Sequence, residues 1–216
     1  MPMSLYHLET LGRDAYINSI ATIQDPKTLR FADQSMAWWD RHFSWNAQGC
    51  IVLCNDKNEH LCYLFSKIDR YSEYLTLYNL FTPKSQQRKG YATHLLRMTL
   101  ALGVEKHVRR ITFSSISTSL DFYRLLGFIY WGINDIGDYY CNLPLPREGL
   151  DGMREMIHSS DIQTLLGRYL EKIYTKIDGN ELKLSVAQNL IYKQDIRNLG
   201  SSYVREDLRI FKNTPQ

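Results

Sequence analysis

The chain has no apolar run of about 18 residues, so no segment is expected to cross a bilayer as a helix. Its start, Met1-Pro2-Met3-Ser4, lacks the basic-then-apolar layout of an export signal. Only four cysteines occur, Cys50, Cys54, Cys62 and Cys141, and their irregular spacing excludes a disulfide framework. Buried free thiols in a reducing cytoplasm are the expectation. His60-Leu61-Cys62 has no second ligand pair at a useful distance, so no metal is expected. No strongly basic stripe is present, and a net charge of +3 argues against a nucleic-acid partner.

What is present suits an ordinary globular protein of 216 residues, 44% hydrophobic and 23% charged. That length accommodates one core of about 150 residues with an appendage. Residues 1–46 read as mostly helical, interrupted at Asp25-Pro26 because proline lacks an N–H and crowds the preceding turn. The aromatic cluster around Trp38 and Trp39 reads as core packing or as one wall of an acceptor pocket. Cys50–Cys54 and Leu61–Phe65 read as a hairpin across the polar turn Asn55–Glu59. Tyr74–Phe81 is a third strand. A polar loop, Lys84–Lys89, comes next, and a helix opens at Gly90 with Ala92, Leu95, Leu96, Thr99 and Leu102 on one face. The spacing then predicts a strand over Ile111–Phe113, a helix over Thr118–Leu126 stopped by Gly127, and strands over Phe128–Trp131 and Tyr139–Leu143. The reading is an α/β domain over residues 1–146 and a helical C-terminal appendage or small domain over residues 147–216. Two apolar stripes mark that extension, one from Met156 to Ile177 and one from Leu182 to Ile191.

The segment Gln87-Arg88-Lys89-Gly90-Tyr91-Ala92 joins an apolar strand to an amphipathic helix. The first turn of a helix leaves N–H groups without internal partners, and with the helix dipole these form an anion site. Gly90 lets phosphate oxygens approach the backbone, Ala92 keeps the next position uncrowded, and Arg88 and Lys89 add positive charge. A turn glycine beside a solvated basic pair is the bland alternative. Neither a Walker loop nor a dinucleotide fingerprint is present, because the required glycines and Lys-Ser or Lys-Thr are missing.

The loop resembles the signature of the GNAT superfamily of N-acetyltransferases, Gln/Arg-x-x-Gly-x-Gly/Ala, at Gln87, Gly90 and Ala92. A second signature of that superfamily is matched by Phe122-Tyr123-Arg124-Leu125-Leu126-Gly127-Phe128. The resemblance covers roughly residues 45–143, with one extra residue between Pro83 and the signature glycine. Ile116 and Ser119 stand where asparagine and alanine often occur.

That resemblance implies a mixed, splayed central sheet holding acetyl-CoA or another acyl-CoA. The backbone N–H of Leu80 or Phe81 would polarise the thioester carbonyl, Gln87–Ala92 would hold the pyrophosphate, and Tyr123 would donate a proton to the departing thiolate. The implied activity is transfer of acetyl to a primary amine by direct attack in a ternary complex. A non-catalytic CoA-binding or regulatory protein on the same fold is the alternative. The acceptor is an amine of a small molecule, peptide or protein, and the chain is a monomer or homodimer. Glu73, Asp135, Asp138 and His94 are weak candidates for a general base. Trp38, Trp39, Trp131, Tyr139 and Tyr140 are candidates for lining the acceptor pocket.

Overall fold

The computed structural model describes residues 5–45, 49–71, 73–128, 132–133 and 139–158. The chain divides into two compact units, Met1–Arg109 and Arg110–Gln216. The first contains β1 (Tyr6–Leu11), α1 (Arg13–Ile20), α2 (Pro26–His42), β2 (Cys50–Asn55), β3 (His60–Ile68), β4 (Tyr74–Phe81) and α3 (Tyr91–Glu105). The second contains β5 (Arg110–Ser115), α4 (Leu120–Leu125), β6 (Gly132–Ile133), β7 (Tyr139–Pro144) and α5 (Leu150–His158). No helix among the described residues is long and apolar enough to cross a membrane.

In the first unit, β1, β2, β3 and β4 pair in that order, each antiparallel to the next. One face of this sheet carries Cys50, Val52, Cys54, Tyr63, Phe65 and Phe81 into a core shared with Tyr16, Ile20, Ala32 and Trp39 from α1 and α2. Trp39 is fully buried, its ring 5.2 Å from Phe65 and 4.6 Å from Phe43. It is therefore core, whereas Trp38 is only partly buried and lies 5.0 Å from Tyr78. Helix α3 packs against β2, β3 and β4, burying Leu95, Leu96, Thr99 and Leu100. In the second unit, β5 pairs antiparallel with β7, and β6 pairs with β7.

The α/β class expected from the sequence is the one found, but several elements differ. The amino-terminal region is not all helix, because Tyr6–Leu11 forms strand β1 in full register with β2. Its burial alternates only over Tyr6–Glu9, where Tyr6 and Leu8 are the apolar residues, so the period-two signal is weak. Pro26 starts a helix instead of interrupting one. It occupies the first turn of α2, where its missing N–H is harmless, and Asp25 caps that turn by accepting the Thr28 N–H at 2.9 Å. The helix expected at Thr118–Leu126 begins as a 3-10 turn, Ser117–Ser119, and becomes α-helical only over Leu120–Leu125. Gly127 ends it at φ +95°.

Phe128 lies outside any strand, and the short strand near it is Gly132–Ile133. Residues 129–131 lie outside the described residues, as do Asp135 and Asp138. The extension begins with α5, while the stripes expected from Ile162 to Ile191 also lie outside the described residues.

Candidate active site

The polar loop after β4 is held at both ends by its own hydrogen bonds. Lys84–Gln86 form a 3-10 turn. The Gln87 side-chain amide donates to the Thr82 carbonyl at 3.0 Å, and Lys89 Nζ donates to Gln86 Oε1 at 3.0 Å. Arg88 then takes a left-handed φ of +61°, and Gly90 one of +81°. Ahead of the signature glycine, where the sequence has one extra residue, the chain makes a 3-10 turn and then the left-handed Arg88.

Gly90 stands at the N-cap of α3 with no side-chain cap. The first turn of a helix presents N–H groups outward, and Gly90 has no side chain to cap them. A Cβ built on Gly90 meets nothing within 4 Å, so the space beside this backbone is open. Gln87, Arg88, Lys89 and Gly90 are exposed, and Tyr91 and Ala92 are half-buried. Arg88 and Lys89 precede a helix start with no side-chain cap at Gly90, an arrangement that favours anions. The Tyr6 ring braces the first turn from β1, 5.9 Å from Tyr91 and 5.1 Å from His94. His94 is therefore an aromatic contact rather than a plain surface residue.

Strand β4 carries a feature that sequence periodicity does not reveal. Asn79 pairs with Phe65 and Leu77 with Ser66, so Tyr78 is an extra residue without a partner on β3. Such a bulge interrupts the ladder just before Leu80 and Phe81 and bends the strand there. Leu80 is half-buried. The Phe81 ring stacks on Tyr63 with centroids 4.8 Å apart.

Tyr123, in the second unit, is buried in an aromatic cluster. Its ring lies 4.6 Å from Phe113, 5.1 Å from Phe122 and 5.8 Å from Phe128. Its carbonyl accepts the N–H groups of Leu126 and Phe128, both at 3.1 Å, which fixes the turn around Gly127. The candidate base Glu73 is half-buried beside a turn in which Asp69 Oδ1 accepts the N–H groups of Glu73 and Tyr74. Trp131 lies outside the described residues, and only the backbones of Tyr139 and Tyr140 are described.

No activated thiol is found among the described residues of the first unit. Burial pushes Cys50 well above the ordinary thiol range, Cys54 up to about 11 and Cys62 up to about 12. At neutral pH these thiols are protonated, which does not favour an acyl-cysteine route. His60 and Cys62 do not act together either. Cys62 faces the Phe81 carbonyl at 3.3 Å and the Thr82 hydroxyl at 3.1 Å, whereas His60 faces Ser19 and Glu9.

A cavity of about 1100 Å³ opens between the end of α1 and the β2–β3 turn. Glu9, Ser19, Asp25, His60, Tyr63 and Lys84 are among its lining residues. The sequence carries no signal for it, because its lining comes from separated stretches of chain.

Residues 17–128 match the acetyltransferase (GNAT) family. No curated protein sequence matches the chain. Among solved structures, the spermidine N-acetyltransferase of Vibrio cholerae in complex with CoA and spermine is 13% identical. That alignment covers 67% of this chain and 98% of the other, with a TM-score of 0.51. A chimera of the Vibrio cholerae spermidine N-acetyltransferase SpeG with hSSAT is 14% identical, covering 69% of this chain and 99% of the other at a TM-score of 0.51. At such identities the likeness concerns the fold.

Proposed function

Because the chain belongs to the GNAT family of acetyltransferases, we propose that it transfers acetyl from acetyl-CoA to a primary amine by direct attack in a ternary complex. The observation that carries this reading is Gly90, left-handed and uncapped at the start of α3, with open space where a side chain would stand. In this reading the pyrophosphate rests on the N–H groups from Gly90 to Ala92, and Arg88 and Lys89 balance its charge.

The reaction needs a polarised thioester, a neutral amine and a proton for the leaving sulfur. The backbone N–H of Leu80 or Phe81, next to the bulge at Tyr78, is the donor assigned to the thioester oxygen, where negative charge grows during attack. Nitrogen of the neutral amine forms the new C–N bond and the C–S bond breaks; the thiolate takes the proton of the Tyr123 hydroxyl, and the proton that nitrogen sheds passes through solvent to restore that hydroxyl. Raised thiol pKa values at Cys50, Cys54 and Cys62 support direct attack over a covalent relay. Residues 1–146 form the catalytic domain in this proposal, and residues 147–216 are its helical extension.

The test is a thiol-release assay with acetyl-CoA against a panel of primary amines. Amine-dependent release, with acetylated amine found by mass spectrometry, is expected. Tight acetyl-CoA binding without any release would make the chain a non-catalytic CoA binder. Absence of acetyl-CoA binding would overturn the loop assignment itself.

A further inference from the structure

Three side chains of different chemistry converge at one corner of the first sheet, beside the cavity that Lys84, Ser85 and Gln86 also line. Glu9 on β1, Cys54 on β2 and His60 on β3 bring a carboxylate oxygen, a thiol sulfur and an imidazole nitrogen within 4.8 Å of one another. We propose that Glu9, Cys54 and His60 form a binding site for a zinc-class divalent cation, with its fourth position open to the cavity.

The strand register creates this cluster. Leu53 pairs with Cys62, but the next residue, Cys54, pairs with His60, so Leu61 is an extra residue on β3. Because side chains alternate faces, a regular ladder would set His60 on the face of Cys62. The bulge moves it to the face of Cys54 and Tyr63 instead.

The Cys54 thiol donates to Glu9 Oε2, and its separation from that oxygen, like that of His60, is also the one that ligands sharing a single ion would have. His60 Nε2 lies 3.4 Å from Glu9 Oε2, and Cys54 Sγ lies 3.7 Å from the same oxygen. A charged N–H to carboxylate hydrogen bond closes to about 2.8 Å. Tetrahedral zinc bonds of about 2.0–2.1 Å to N and O, and about 2.3 Å to S, separate N from O by about 3.4 Å and S from O by about 3.6 Å. The donor set of thiolate, imidazole and carboxylate suits zinc or cobalt rather than magnesium or calcium.

The imidazole is also oriented from behind. Its Nδ1 lies 2.6 Å from Ser19 Oγ, which lies 2.6 Å from the Tyr63 hydroxyl. With Nδ1–H donating to Ser19, the Nε2 lone pair is left facing Glu9, the arrangement that metal-binding histidines use. On binding, the Cys54 thiol proton passes to solvent. Thiolate and carboxylate then neutralise the dication. The open position faces the 1100 Å³ cavity, which is lined by Glu9, His60 and Tyr63.

The test uses the full chain, stripped with chelator under reducing conditions and titrated with Co²⁺. Uptake of one equivalent is expected, with a thiolate-to-cobalt charge-transfer band and the intense visible bands of a four-coordinate site, both erased by Zn²⁺. Cys54→Ser should abolish the charge-transfer band, and Cys62→Ser should leave it. Glu9→Gln, at an exposed position on β1, should weaken Co²⁺ binding at least tenfold. Ser19→Ala should weaken it about tenfold, as loss of a positioning partner does. A missing band overturns the site, as does a band that survives Cys54→Ser or an affinity unchanged by Glu9→Gln. Because every readout is metal binding, failure here leaves the acetyl-transfer assignment untouched.

Discussion

Lys84 donates its backbone N–H to one oxygen of Asp25 at 3.1 Å, while the other oxygen of that carboxylate accepts the Thr28 N–H at 2.9 Å. A single side chain therefore caps α2 and anchors the start of the loop after β4. Hydrogen bonds from Thr28, and then from Lys84, hold the Asp25 carboxyl below its usual range. A carboxylate with a depressed folded-state pKa stabilises the fold above its unfolded pKa and loses that contribution as pH falls through the folded value.

Asp25→Ala should accordingly lower the melting temperature at neutral pH, with the deficit shrinking as pH falls below the ordinary carboxylate range. It should also weaken acetyl-CoA binding, because the loop start loses its tie to α2. Thermal unfolding from neutral to acid pH, run beside acetyl-CoA titration, checks both. A melting deficit constant across that range would refute the linkage.

Gly90→Val should weaken acetyl-CoA binding at least tenfold, or about 1.4 kcal/mol. Two effects act together. A β-branched residue is strained at φ +81°, and its side chain would fill the open space beside the helix start. Apart from its chain neighbours and its own helix backbone, no protein atom lies within 4 Å of the new Cβ, so the variant should fold. Calorimetric titration of the folded variant decides the matter, and unchanged affinity would remove the pyrophosphate assignment.

Tyr123→Phe should lower kcat by about 100-fold, the ordinary contribution of a positioned general acid, with little change in the KM for acetyl-CoA. The substitution keeps the ring that packs on Phe113 and Phe128 and deletes only the hydroxyl. Unchanged turnover would leave Tyr123 as a packing residue, the alternative its buried cluster makes concrete.

The elements legible in the sequence are those whose signal is local. Tyr74–Phe81 is a run of β-forming residues closed by Pro83, and α3 announces itself through Leu95, Leu96 and Thr99 behind a glycine. Strand β1 is not legible, because Tyr6–Leu11 is an edge strand whose hydrogen bonds, not its apolar pattern, join it to β2. Pro26 is ambiguous in the sequence, because an Asp-Pro pair can both break one helix and cap another. The bulges opposite Cys54 and at Tyr78 are properties of pairing. A one-residue shift reverses which side chains share a face, so the meeting of Glu9, Cys54 and His60 is invisible until register is known.

The extension supplies the last prediction. Leu150 and Met153, on the first turns of α5, are almost fully buried. A Cβ on Gly152 would collide with the Pro146 and Glu148 side chains, so α5 is packed tightly onto the turn after β7. Burying a leucine or methionine side chain is worth about 1.5–3 kcal/mol, and two of them are a large share of the roughly 5–15 kcal/mol that typically separates folded from unfolded chains. A chain ending at residue 146 should therefore melt roughly 10 °C lower than the full chain, or be insoluble. A chain ending at residue 158 keeps α5 and should recover most of that loss. Equal melting temperatures for the full chain and the 146-residue chain would show that α5 contributes nothing to the fold it packs against.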